Sequence, residues 1–193
     1  MCNTYEQLVS YAQYRDAIRA AGLTTPSVEK EADLPRPGDI RIGDMGPVLR
    51  AAGNGAELIL MRFGWPAPLT KASPVFNFRS DNRHFADSRR CVIVMSGFFE
   101  FTGSKSPKTK HRFRLKDSTV MGIAGLWSET EDGALSFPML TTEPGPDIAP
   151  IHNRQVCVLR PEQWPEWLFL TRPEAELLVP LPAGTLVVET VRP

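Results

Sequence analysis

The chain is broken into short apolar segments that are too brief for helices and too closely spaced to leave room for crossover helices between them. Candidate strands fall at PVLRA, ELILMRF, CVIVMSGFFEF, HRFRLK, TVMGIAGLW, LSFPMLTT, QVCVLR and TLVVETV, with turn residues between them. Strand predominates and the strand–helix–strand alternation of a parallel sheet is missing. The expected class is therefore α+β, built on a mainly antiparallel, partly barrel-like sheet with a few flanking helices. At 193 residues one domain spanning 1–193 is expected.

Three segments read as helix. TYEQLVSYAQYRDAIRAAG has Leu8, Tyr11, Ala12, Ile18 and Ala21 at helical spacing, Thr4 and Gln7 as a capping box, and Gly22 as a stop. The other two are DNRHFADSRR and PEQWPEWL. A helix starting at Thr4 places Cys2 just ahead of its N-terminus, where the dipole lowers a thiol pKa. The segment TTPSVEKEADLPRPGDIRIGDMGP is rich in Pro and Gly and reads as a long loop with one short strand.

Lys plus Arg and Asp plus Glu number 22 each, so net charge points to no polyanionic partner. The distribution is less even. Arg79, Arg83, Arg89 and Arg90, then Lys105, Lys108, Lys110, Arg112 and Arg114, make the middle of the chain basic. HRFRLK alternates, with Arg112, Arg114 and Lys116 on a face expected to meet water or an anion. No apolar run has membrane-spanning length and no secretory signal pattern opens the chain, so a cytoplasmic protein without membrane contact is expected.

The cysteines, at positions 2, 91 and 157, are odd in number and widely spaced, which fits a reducing compartment. Cys91 and Cys157 lie in apolar stretches and are expected to pack in the core. Cys2 has no such neighbourhood. Once the initiator methionine is trimmed, it carries an α-amine and a thiol on adjacent carbons.

Templates for dinucleotide, triphosphate and zinc chemistry are absent, so no cofactor and no metal are expected. Three other polar signals stand out. Asn77 and Arg79 share one face of VFNFRS, as a phosphate and its sugar would require, or as a cap beside a surface arginine. Glu100 lies between Phe99 and Phe101. Facing inward its pKa would rise into the range of general acid–base work, and facing outward it is an edge charge. His152 sits in the proline-bracketed loop PDIAPIHNRQV, with Arg154 two residues on.

Taken in order, MCN, FNFRS, RRCVIVMSGFFEF, GIAGLW, MLTTEP and IHNRQVCVL resemble the SOS-response-associated peptidase (SRAP) family of abasic-site processing proteins. The likeness runs from Cys2 to about Leu159 and implies that family's fold. It implies Cys2 as nucleophile, Asn77 and Glu100 as its partners, and His152 as a further acid–base group. It also implies DNA contacts from Arg79 and Arg154. The sequence departs from the family pattern at Asn3 and at Thr4, where arginine is frequent. The tryptophan of R-W-G-L-I-P is replaced in RFGWP, so either Phe63 or Trp65 is expected to stack on a base.

The implied substrate is single-stranded DNA carrying an abasic site, met by a monomer that is nucleoid-associated when bound. An aldehyde meeting a 1,2-aminothiol forms an imine and closes to a thiazolidine through sulfur. An N-terminal-cysteine peptidase or amidohydrolase, which includes removal of Met1, and a non-catalytic single-stranded DNA-binding module are the alternatives.

Overall fold

The computed structural model describes residues 2–24, 34–67 and 73–192. The first half comprises β1 (Thr4–Gln7), α1 (Tyr11–Ala20), β2 (Gly38–Arg41), β3 (Met45–Ala52), β4 (Gly55–Phe63), β5 (Asn77–Arg79), β6 (Arg90–Met95) and β7 (Gly97–Thr102). The second comprises β8 (Thr109–Leu115), β9 (Met121–Leu126), β10 (Ser128–Glu129), β11 (Leu135–Phe137), β12 (Met139–Thr142), β13 (Gln155–Val156), β14 (Val158–Leu159), α2 (Gln163–Phe169), α3 (Glu174–Leu177) and β15 (Leu186–Arg192). The expected α+β class, dominated by antiparallel sheet, is the one observed.

The strands form two sheets. One runs β15-β8-β7-β1-β2, and the other runs β10-β11-β4-β3-β6-β9-β12-β13, with β14 also on β9 and β5 also on β12. β6 passes into β7 through Ser96 alone, so one length of chain serves both sheets and they curl into a half-barrel. Glycine is needed at the crossing because a Cβ on Gly97 would stand 2.8 Å from the Phe113 carbonyl oxygen.

CVIVM is apolar at every position because both faces of β6 are covered. Val92 and Val94 pack with Tyr14, Ile18, Trp164 and Trp167 beneath the helices. Cys91, Ile93 and Met95 join Tyr5, Phe63, Phe98, Phe113 and Phe137 in the interior between the sheets. Phe98 and Phe113 stack at 5.1 Å between centroids, a pairing worth about 0.5–1.5 kcal/mol beyond its buried area. α2 is fastened from inside, with Trp167 Nε1 donating to the Cys91 carbonyl at 2.9 Å and Trp164 Nε1 to that of Leu159 at 3.2 Å.

Two expectations are corrected. Thr4–Gln7 is strand, and the helix begins at Tyr11 with Ser10 as N-cap and Gln13 completing a capping box six residues later than expected. Tyr5 and Gln7 point inward, where the Gln7 amide donates to the Tyr14 hydroxyl, so tertiary burial overrides the local helical pattern. DNRHFADSRR forms turns rather than helix, because Arg90 donates to the carbonyls of Phe85, Ala86 and Ser88 and holds that chain in a loop. The basic face of HRFRLK meets water and anions as expected, the anions being the chain's own carboxylates: Arg112 pairs with Glu6 and Glu189 and Arg114 with Glu189, while Lys116 is exposed. PEQWPEWL is helix as expected. Within the long loop the expected short strand is β2, while residues 25–33 lie outside the described residues.

Candidate active site around Cys2

β1 carries the start of the chain into the smaller sheet, where it pairs with β2 on one side and β7 on the other. The register sets Tyr5 opposite Phe98, and its continuation brings Cys2–Thr4 alongside Phe99–Phe101. Phe98 and Glu100 share one face of β7, so the pattern that buries an aromatic ring also buries a carboxylate. Glu100 is 2% exposed and Cys2 1%.

Cys2 lies against the Glu100 carboxylate, whose charged form its main-chain N–H favours. The Cys2 carbonyl accepts from Asn77 Nδ2 at 2.9 Å, and the thiol lies 3.3 Å from the Thr4 carbonyl oxygen. β5 supplies Asn77 from the larger sheet by pairing in parallel with β12. Its Oδ1 is buried without a hydrogen-bond partner among the described residues. The residue is thus fixed through its amide nitrogen, and an acceptor remains beside Cys2.

His152 reaches the site from a pair of tight turns in which the N–H groups of Ile151 and His152 both bond to the Ile148 carbonyl. Its Nδ1 lies 3.0 Å from both the main-chain N–H and the carbonyl oxygen of Arg154, which orients the ring and turns Nε2 toward Glu100. That nitrogen stands 4.0 Å from Glu100 Oε2. Cys2, Asn77, Glu100 and His152, far apart in sequence, are thus brought together.

Electrostatics run opposite to the helix-terminus expectation. Burial pushes the Cys2 thiol up to about 12, the neighbouring Glu100 charge adds to the rise, and backbone hydrogen bonds at Phe99 and Thr4 oppose it. The thiol is therefore protonated at neutral pH and needs a base. Burial also raises the Glu100 carboxyl above the usual carboxylate range, against the pull of His152 and the Cys2 N–H. A raised carboxyl holds its proton more readily than an exposed one, which suits it to both taking and returning a proton.

The residues expected to meet DNA are less uniformly placed. Arg79 is exposed at the end of β5, on the face that Asn77 shares. Arg154 is 13% exposed, doubly bonded to Asp81 at 3.0 and 2.5 Å, and donates to the Thr141 carbonyl at 2.8 Å. Phe63 is fully buried, stacked on Phe137 at 5.3 Å and meeting Tyr5 edge-on, so its ring has no open face. Trp65 is half-buried, packs edge-on against Phe78 and donates Nε1 to the Ser136 carbonyl at 3.2 Å. A cleft of about 450 Å³ opens over Glu100 and His152, with Asn3, Lys108 and Arg192 on its walls. Lys108 had a sequence signal in the basic run. Arg192 had none.

The fold and site define a class in which a cysteine at position 2 is woven into a curled antiparallel sheet against a buried glutamate and a loop histidine. The pattern of the family described as SOS response associated peptidase (SRAP) matches residues 1–193, and the chain belongs to that family. Among its relatives is a Saccharomyces cerevisiae abasic site processing protein, 31% identical over 85 residues that make up 42% of this chain and 23% of that one. The Bacillus subtilis abasic site processing proteins YoqW and YobE are also similar. YoqW is 36% identical over 87 residues, 42% of this chain and 38% of its own. YobE is 34% identical over 133 residues, 60% of each chain. These matches span less than two thirds of each relative. A crystal structure from Bordetella bronchiseptica shares the fold with a TM-score of 0.74 at 23% identity, covering all of both chains. One from Bacteroides thetaiotaomicron has a TM-score of 0.75 at 18% identity, covering 99% of this chain and 92% of that one.

Proposed function

We propose that this protein, with Met1 removed, captures abasic sites in single-stranded DNA by forming a thiazolidine between Cys2 and the ring-opened sugar aldehyde. The observation that carries the reading is the burial of Cys2 against Glu100, with Asn77 holding the Cys2 carbonyl and His152 Nε2 4.0 Å from the same carboxylate. Removal of Met1 turns the Cys2 main-chain nitrogen into the α-amine, beside a proton acceptor. The names of the relatives, abasic site processing proteins, support the same substrate.

In the reaction the amine adds to the aldehyde carbon, the resulting hydroxyl leaves as water with a proton from Glu100, the nitrogen returns a proton to Glu100, and an imine remains. The thiol then adds across the C=N bond: a C–S bond forms and the thiol proton passes to nitrogen through Glu100. The net loss is one water. His152, whose Nε2 stands 4.0 Å from Glu100 Oε2, serves opening of the sugar hemiacetal, and Asn77 Oδ1 accepts a sugar hydroxyl while Nδ2 holds Cys2 in place. Single strands are favoured because Cys2 is buried beside Glu100, where a sugar held in a stacked duplex would not reach it. Of the cations expected to hold phosphate, Arg79 suits the role best, since it is exposed on the Asn77 face. Trp65 is the aromatic with surface left for a base. The protein acts as a monomer in the cytoplasm, at the nucleoid when DNA-bound.

The test is intact mass spectrometry of the trimmed protein incubated with single-stranded DNA carrying one abasic site. The expected product weighs the sum of the two less one water and survives heating in denaturant. Cys2→Ala and a form retaining Met1 should both lack it. Equal yield from Cys2→Ala would sink the reading.

A further inference from the structure

The basic residues around the site divide into two groups. Arg112 and Arg114 are held by Glu6 and Glu189, Lys110 by Asp39, and Arg154 by Asp81. Their charges are largely neutralised within the fold. Lys108 and Arg192 are different: both are exposed, both wall the cleft over Glu100 and His152, and neither pairs with a carboxylate among the described residues.

Arg192 is also positioned. The register between β15 and β8 shifts between Thr190 and Arg192, so Arg192 lies opposite Lys110 where regular pairing would set it opposite Thr109. Bulges of this kind re-aim a side chain. The guanidinium is then fixed by Nε and one terminal nitrogen donating to the Lys108 carbonyl at 3.3 and 3.1 Å. A neutral carbonyl orients the group and leaves its positive charge uncompensated. A second cleft of about 240 Å³, with Arg41 on its wall, shares Asn3, Phe101 and Arg192 with the first. The two therefore make one groove that leads away from Glu100, with Arg192 at its middle and the half-buried Phe101 ring beside it.

We propose that Arg192, with Lys108, binds a phosphodiester of single-stranded DNA flanking the abasic nucleotide, and that the strand leaves the active site along this groove. The assignment rests on the abasic-DNA reading of Cys2. A fixed planar cation matches phosphate, and a neighbouring aromatic ring is what single-strand grooves use to hold bases.

The experiment measures affinity for an intact single-stranded oligonucleotide against salt, for wild type, Arg192→Ala and Arg192→Lys. The slope of log affinity on log salt should be shallower by about 0.7 in Arg192→Ala, the value of one phosphate contact on a single strand, and Arg192→Lys should restore it. A DNA-side arm leaves the protein untouched: a neutral methylphosphonate is moved one linkage at a time around the abasic site. One position should weaken wild-type binding and have no effect on Arg192→Ala. Unchanged slopes in Arg192→Ala, or equal methylphosphonate penalties in both proteins at every linkage, would overturn the assignment. Failure of the Cys2 reading appears separately, as binding without adduct.

Discussion

At the scale of single residues, the site is built on a conflict between stability and chemistry. Glu100 follows Phe98 on one face of β7, between Phe99 and Phe101 in the chain, and is buried as Phe98 is. Its carboxyl is raised, so its ionisation is less favourable in the folded chain than in the unfolded one. Stability from this group is therefore full at pH below the ordinary carboxylate pKa and is lost as pH rises through the raised one. Glu100→Gln keeps the shape and removes the charge. It should slow single-turnover crosslinking by about 10²–10⁴-fold while raising the melting temperature at pH 7, with the two proteins converging near pH 4. A Gln variant that crosslinks at the wild-type rate would make Glu100 structural. Glu100 and Cys2 were legible in the sequence, one as a charge among aromatics and the other by its position. The engagement of Arg154 was not, because its partner Asp81 lies 73 residues away.

At the scale of elements, the strand pattern was readable wherever burial alternates or is complete, as in β6 to β9. β1 was not. TYEQLVSYAQ offers two capping boxes, Thr4–Gln7 and Ser10–Gln13, and only the pairing of β1 between β2 and β7 decides for the second. That pairing depends on close approach at Gly46, where an added Cβ would overlap the Tyr5 hydroxyl and stand 3.2 Å from the ring carbon that bears it. The hydroxyl is buried without a partner among the described residues, so losing it removes no hydrogen bond. Gly46→Ala should destabilise by about 1–3 kcal/mol through this overlap, and Tyr5→Phe should rescue it. Urea unfolding of the single and double variants checks this, and a double variant no more stable than Gly46→Ala would show that the strain lies elsewhere.

At the scale of the whole molecule, all three cysteines are buried, and burial raises each thiol, Cys2 and Cys157 to about 12 from an ordinary 9.0. Between those limits the unfolded chain has released protons that the folded chain retains, so stability falls as pH rises. The expected slope is about 1.4 kcal/mol per pH unit for each thiol. Urea midpoints at pH 8 and pH 10 measure it, and Cys157→Ala should flatten the decline. An unchanged slope in that variant would mean that Cys157 ionises equally in both states.

The two-sided pairing of β1 also has a mechanical side. A strand held at a sheet's edge peels away one hydrogen bond at a time, but β1 is bonded along both flanks. Tension applied at the first residues runs along its axis, across bonds that lie perpendicular to it, and loads them together in shear. A polymer tethered at Cys2 and drawn taut would pull on the chain where the sheet is hardest to unzip.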